Sequence, residues 1–295
     1  MTALSSRPGA LSTRLNTKNS MRTRRARIRI SLFAATQLVV AFVVLIPIIW
    51  MFVAAFRTDA DIGTGSLIPH TFTLQNFANV SERIDLPRAF ANTTIVAGGS
   101  AVITTAISLL AAYALSRFNF RGSRSVMSSV VLAQVIPSLV VLVPLVVIMQ
   151  RLQLTDSLFG LTLVYLMLGV PISIMLLRAY LDDIPVALDE AAMIDGCNRV
   201  QALWHVTMPM LRPAIAAVMI FDFILAWGEY VLALSLITSD QNKTLSLVLS
   251  SLFDQYTFNM GTIMAFGLLM SLPVAVLFML VQKHLVANLV AGSVK

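Results

Sequence analysis

Long apolar stretches alternate with short polar ones along most of the chain. Six of the apolar stretches, near residues 30–56, 91–116, 126–149, 158–180, 213–238 and 262–282, reach the length a helix needs to cross a bilayer. Between the fourth and fifth lies a stretch too polar to be buried in lipid. Asp182, Asp183 and Ile184-Pro185 supply a helix start there, with proline tolerated in the first turn and acids favoured by the helix dipole. Leu188, Ala191, Ala192 and Asp195 follow at i, i+3, i+4, i+7 spacing, and Gly196 suits the left-handed residue that ends a helix. A second short helix, with Val200, Leu203 and Trp204 on one side, is expected before Pro209 and Pro213 lead into the next span. The pattern predicts an all-α polytopic membrane protein with six transmembrane helices and a helix–glycine–helix unit between the fourth and fifth.

Composition agrees with this reading. The 295 residues are 58% hydrophobic and 12% charged, against about 25% charged in soluble domains. The apolar core of the first span is too long for a signal peptide, so an uncleaved helix is expected. The segment before it, 1–29, reads as a basic, disordered tail. Cys197 is the sole cysteine and excludes an internal disulfide framework. His70, His205 and His284 lie far apart, so no metal site is expected.

The net charge of +7 could point to nucleic acid, but eight basic residues and no acid precede Ile30. A basic flank beside a first membrane helix is an orientation signal. With the N-terminus inside, 16 of the 21 Lys and Arg residues fall on the inner side. This places both termini and the 190–209 loop in the cytoplasm and argues against a nucleic-acid partner.

Two acids, Asp222 and Glu229, fall within the fifth apolar stretch. Counted from Pro213, they lie about 14 and 24 Å along the helix, and seven residues apart they share a face. Intramembrane acids face the bundle interior or water. Three readings stand: a translocation path or gate, a buried pair satisfied by helix ends and hydroxyls, or a proton relay. Prolines at 47, 137, 144, 171 and 273 are expected to kink their spans, as bundle geometry or as hinges. Arg57, Arg83 and Arg88 with Asp59, Asp61, Glu82 and Asp85 make the first outer loop a mixed polar surface.

The polar loop itself reads as a docking surface. Ala191 and Ala192 permit close approach, and Glu190 offers a charge for pairing. The alternative is a connector resting on lipid. Asp182, Asp183, Asp189, Glu190 and Asp195 outnumber Arg178, Arg199 and Arg212, so anionic lipid would repel it.

Glu190-Ala191-Ala192, then Gly196, then Val206-Thr207-Met208-Pro209 resembles the EAA loop of importer-type ABC transporter permeases, pattern E-A-A-x3-G-x9-I-x-L-P. The resemblance extends to the carbohydrate branch, through Ala112-Tyr113-Ala114-Leu115-Ser116-Arg117-Phe118, Leu154-Thr155-Asp156-Ser157, Ala226-Trp227-Gly228-Glu229 and Ala291-Gly292-Ser293-Val294-Lys295. Gly228 stands where that family commonly has Asn. The resemblance implies a first transmembrane helix and outer loop over 30–90, a permease core over 91–283 and a cytoplasmic tail over 284–295. It also implies that Glu190, Ala191, Ala192, Asp195, Gly196 and Pro209 dock an ATPase subunit as a coupling helix, with Val294 and Lys295 reaching the same subunit. Asp222, Trp227 and Glu229 are the candidates for the path or gate.

The chain has no GxxxxGK[ST] phosphate loop, so no cofactor is expected on it. ATP and Mg would be bound by a dimer of ATP-binding partner subunits. A second homologous permease, membrane lipid and an extracytoplasmic solute-binding protein or lipoprotein complete the expected partners. The last outer loop, about 239–261, would meet the binding protein. The implied function is sugar import across a prokaryotic cell membrane, without enzyme activity in this chain. The alternative is a proton-coupled secondary transporter using Asp222 and Glu229.

Overall fold

The structure, a computed structural model, describes residues 33–66, 69–253 and 259–292. The basic tail, Val294, Lys295 and part of the last outer loop lie outside the described residues. All regular structure among the described residues is helical. Among the described residues, five helices are long and apolar enough to cross a membrane, or six spans if a bent pair counts as one.

The first span is α1 (Phe33–Ala55). Short helices α2 (Asp59–Gly63) and α3 (Gln75–Arg83) lead into α4 (Leu86–Arg117), the second span. Then come α5 (Ser123–Val135), α6 (Ser138–Arg151) and the 25-residue α7 (Leu158–Asp182). The polar loop carries α8 (Val186–Ile194) and α9 (Arg199–Ala202), and α10 (Met208–Trp227) follows. Two short helices, α11 (Val231–Leu236) and α12 (Leu245–Ser251), precede the last span, α13 (Met260–Gly292).

The core is the mutual packing of α4, α7 and α10. In lipid, helices gain little from burying oil, so close contact through small residues has to hold them together. The buried face of α4 supplies Ala97, Ser100, Ala101, Thr104, Thr105, Ser108 and Ala112. Gly169 of α7 meets it so closely that a Cβ there would lie 2.9 Å from the Thr104 methyl and 3.0 Å from Asp222 Oδ1. By contrast α1 is largely exposed along its length, a surface for lipid or another subunit.

Three expectations need correction. The third span is not one kinked helix, because α5 and α6 meet at 101° across Ile136–Pro137. Proline disfavours the α conformation of the residue before it and supplies no N–H, and Ile136 is extended with ψ 118°. Second, the second short helix of the polar loop does not stop before the prolines. Arg199–Trp227 is one 29-residue rod. It passes Pro209 by widening into a π turn at Leu203–Thr207, where Met208 N–H donates to Leu203 O. That extra residue accommodates a ring that would collide with the carbonyl of His205.

Third, Arg57 and Asp61 are not surface charges. Arg57 is fully buried, its Nε donating to Asp61 Oδ2 at 2.9 Å and its Nη atoms to Ser66 O and Asp61 O at 2.7 Å. Asp61 also accepts from the backbone N–H of His70 and Thr71. The Arg57 guanidinium and these donors hold its carboxyl well below the usual carboxylate range. The pair staples the C-terminal end of α1 to the start of the loop that follows.

Candidate functional site

The loop between the fourth and fifth spans is built on a buried polar strut. α7 ends at Asp182, Pro185 caps α8, and Gly196 at φ +97° reverses the chain. Asn198 restarts it with a capping box: its side chain accepts from Gln201 N–H while Gln201 Oε1 accepts from Asn198 N–H. Arg117, the last residue of α4, reaches under this loop. Its Nε donates to Asp189 Oδ2 at 2.8 Å and its Nη2 to Ile184 O at 2.9 Å. Asp189 Oδ1 accepts a short hydrogen bond from the Thr207 hydroxyl on the π turn.

One carboxylate thus ties together α4, α8 and the base of the fifth span. Ser116 adds a bond to Asp182 Oδ1 at 2.6 Å, and Arg199 lays its guanidinium over the Phe118 ring at 5.0 Å. With these supports behind it, α8 turns an irregular surface outward. Glu190, Ala191 and Asp195 are exposed. So are large apolar side chains: Ile194 (86%), Val200 (64%) and Trp204 (54%). Exposed apolar side chains on a polar loop are what a partner surface would cover.

The geometry divides the predicted loop residues. Glu190, Ala191, Asp195, Gly196 and Pro209 are exposed; Ala192 and Asp189 are buried. Asp189, expected among the surface acids, is instead paired beneath the loop with Arg117. No local signal marks that pairing, because Arg117 lies 72 residues earlier.

The intramembrane candidates separate as well. Asp222 is buried and accepts from Ser173 Oγ at 2.7 Å and Thr105 Oγ1 at 3.3 Å, joining α10 to α7 and α4. Glu229 does not share its face, because α10 ends at Trp227 and the chain turns at Gly228. Its carboxylate instead accepts from Leu232 N–H at 2.9 Å and Ala233 N–H at 3.1 Å, satisfying the open start of α11. Trp227 is buried between Phe90 and Phe223, and its indole N–H donates to Met270 O on α13. Of the three earlier readings, satisfaction by helix ends and hydroxyls fits both acids, though not as a pair.

At the opposite end, Asp156 accepts from the N–H groups of Thr238 and Ser239, which lowers its pKa. Arg88 and Asn92 of α4 donate to Gln241 O from the other side. The start of the loop before α13 is therefore fixed, and Phe253 beyond it is exposed.

Comparison with known proteins agrees with this architecture. Residues 104–290 match the family described as binding-protein-dependent transport system inner membrane component. The diacetylchitobiose uptake system permease protein DasC of Streptomyces coelicolor is 34% identical over 260 residues, 87% of this chain and 94% of that one. The trehalose transport system permease protein SugB of Mycobacterium tuberculosis is 32% identical, covering 90% and 98%. In fold, a subunit of a bacterial ABC transporter involved in alginate import superposes with TM-score 0.76 at 24% identity, covering 88% and 97%. These matches give the proton-coupled alternative no support. The strut-backed loop and the membrane bundle above it belong to a transport subunit, and the chain is a member of the binding-protein-dependent inner membrane component family, a multi-pass permease of an ABC importer.

Proposed function

We propose that this permease imports a carbohydrate or related solute, paired with a second homologous permease and driven by a dimer of separate ATP-binding subunits. The relatives' substrates, diacetylchitobiose and trehalose, support the solute class. ATP and Mg are held by the partner subunits. The positive-inside count supports cytoplasmic termini and a cytoplasmic α8. An extracytoplasmic binding protein delivers the solute to the outer face, where the last outer loop receives it.

The observation that carries this reading is the exposed surface of Glu190, Ala191, Ile194 and Asp195, held from behind by Asp189 and Arg117. An exposed edge on a buried ionic strut passes force to the bundle instead of flexing. When ATP draws the two ATPase subunits together, α8 follows, and α4 and α10 move with it through Asp189. Val294 and Lys295 add a second contact to the same subunit by resemblance. Asp222, Trp227 and Glu229 keep the moving helices in register around the path.

Glu190→Lys tests the docking. The variant should insert normally but lose most co-purification with the ATPase subunit. Wild-type association would overturn the assignment.

A further inference from the structure

The corner between α5 and α6 is an interruption that lipid would not tolerate. Each helix is about 20 Å long, and at 101° with the tilt shared equally they climb about 26 Å together. The corner then sits near mid-depth of a core about 30 Å thick. Irregular backbone at that depth survives only inside protein or against a water-filled cavity. Yet Val135 is 71% exposed and Ile136 52%, and no residue of α5 is buried.

The corner opens on a cavity of about 480 Å3 against α7 and α10, lined among others by Gln134, Ile136, Ser138, Met167, Pro171 and Leu225. Its polar groups are all neutral. Gln134 brings a carbonyl and an amide, and Ser138 a hydroxyl. A second proline adds an acceptor independently: Pro171 inside α7 has no N–H to give the carbonyl of Met167, one turn earlier. Apolar walls with a few neutral donors and acceptors suit a ligand with several hydroxyls and apolar C–H faces. A charged solute would find no countercharge among the lining residues.

We infer that this chain contacts a neutral polyhydroxylated solute directly, at the Ile136–Pro137 corner, through Gln134, Ser138 and the Met167 carbonyl. The inference rests on the import function proposed above and adds that this subunit supplies part of the path's specificity.

The test uses the complete transporter with its binding protein in proteoliposomes. In a Cys197→Ser background, Gln134→Cys and Ser138→Cys should react with a charged, water-soluble thiol reagent. No reaction at either position would overturn the inference, because the corner would then face lipid or another subunit. Uptake of labelled trehalose and diacetylchitobiose should show a KM raised about fivefold in Gln134→Ala and Ser138→Ala, the loss of one hydrogen bond each. Unchanged KM in both variants, with wild-type uptake intact, would overturn the inference alone. Wild-type uptake of neither sugar would instead bring down the carbohydrate reading, and the inference with it.

Discussion

Arg117 Nε donates to Asp189 Oδ2 at 2.8 Å, with both side chains nearly inaccessible to solvent. This bond joins the end of the second span to the helix that exposes Glu190, Ala191 and Ile194. Removing one partner of a buried pair leaves a charge without compensation and costs about 3 kcal/mol or more. Asp189→Ala should therefore lower the melting temperature of the purified complex and raise hydrogen exchange across α8. Exchange at the level of wild type would show that the loop stands without the strut.

A second expectation concerns Gly169, whose missing Cβ lets Asp222 reach the hydroxyls of Ser173 and Thr105. Gly169→Leu should force α4 from α7 and destabilise the fold by about 1–3 kcal/mol, as overpacking does. Asp222→Asn keeps an acceptor in place and should be far milder than Asp222→Leu. Thermal unfolding of the three variants in detergent checks the order, and equal effects of Asn and Leu would refute the clasp.

Glu229 is expected to act as a helix cap. Glu229→Ala should loosen α11 by about 1 kcal/mol, the usual scale of a lost cap, while Glu229→Gln retains much of it. Limited proteolysis of 228–237 would register the difference. A large uptake defect in Glu229→Gln with unchanged proteolysis would point instead to a charge requirement on the path.

The Arg57–Asp61 staple has a pH signature. Asp61 titrates below its ordinary value, so its contribution is fully present above the unfolded pKa near 4. It is lost as pH falls through the depressed folded value. The stability gap between wild type and Asp61→Asn should be constant from pH 7 to about pH 5 and shrink below about pH 4. A gap that widens on acidification would contradict this pairing.

Five spans were legible because each of their apolar runs outlasts the bilayer, and the loop was legible because its polarity interrupts them. Gly196 takes the left-handed conformation its position implied. What the sequence hid depends on long-range partners. Asp189 looks like any loop acid until Arg117, 72 residues earlier, is brought beneath it. Pro137 and Pro209 show the same limit in local form. One breaks its span by 101° and the other is absorbed into a π turn. Proline removes one donor in both, and the neighbouring helices decide how the loss is met. Asp222 and Glu229, matched by spacing, part company because the helix ends two residues before Glu229.

Docking of α8 on an ATP-hydrolysing subunit would cover Ile194, the most exposed apolar side chain of that helix. A photo-crosslinking amino acid at position 194, irradiated in native membranes, tests it most directly. A covalent adduct with the ATPase subunit is expected, absent when the label is placed at the buried Leu203. Adducts with lipid alone would contradict it.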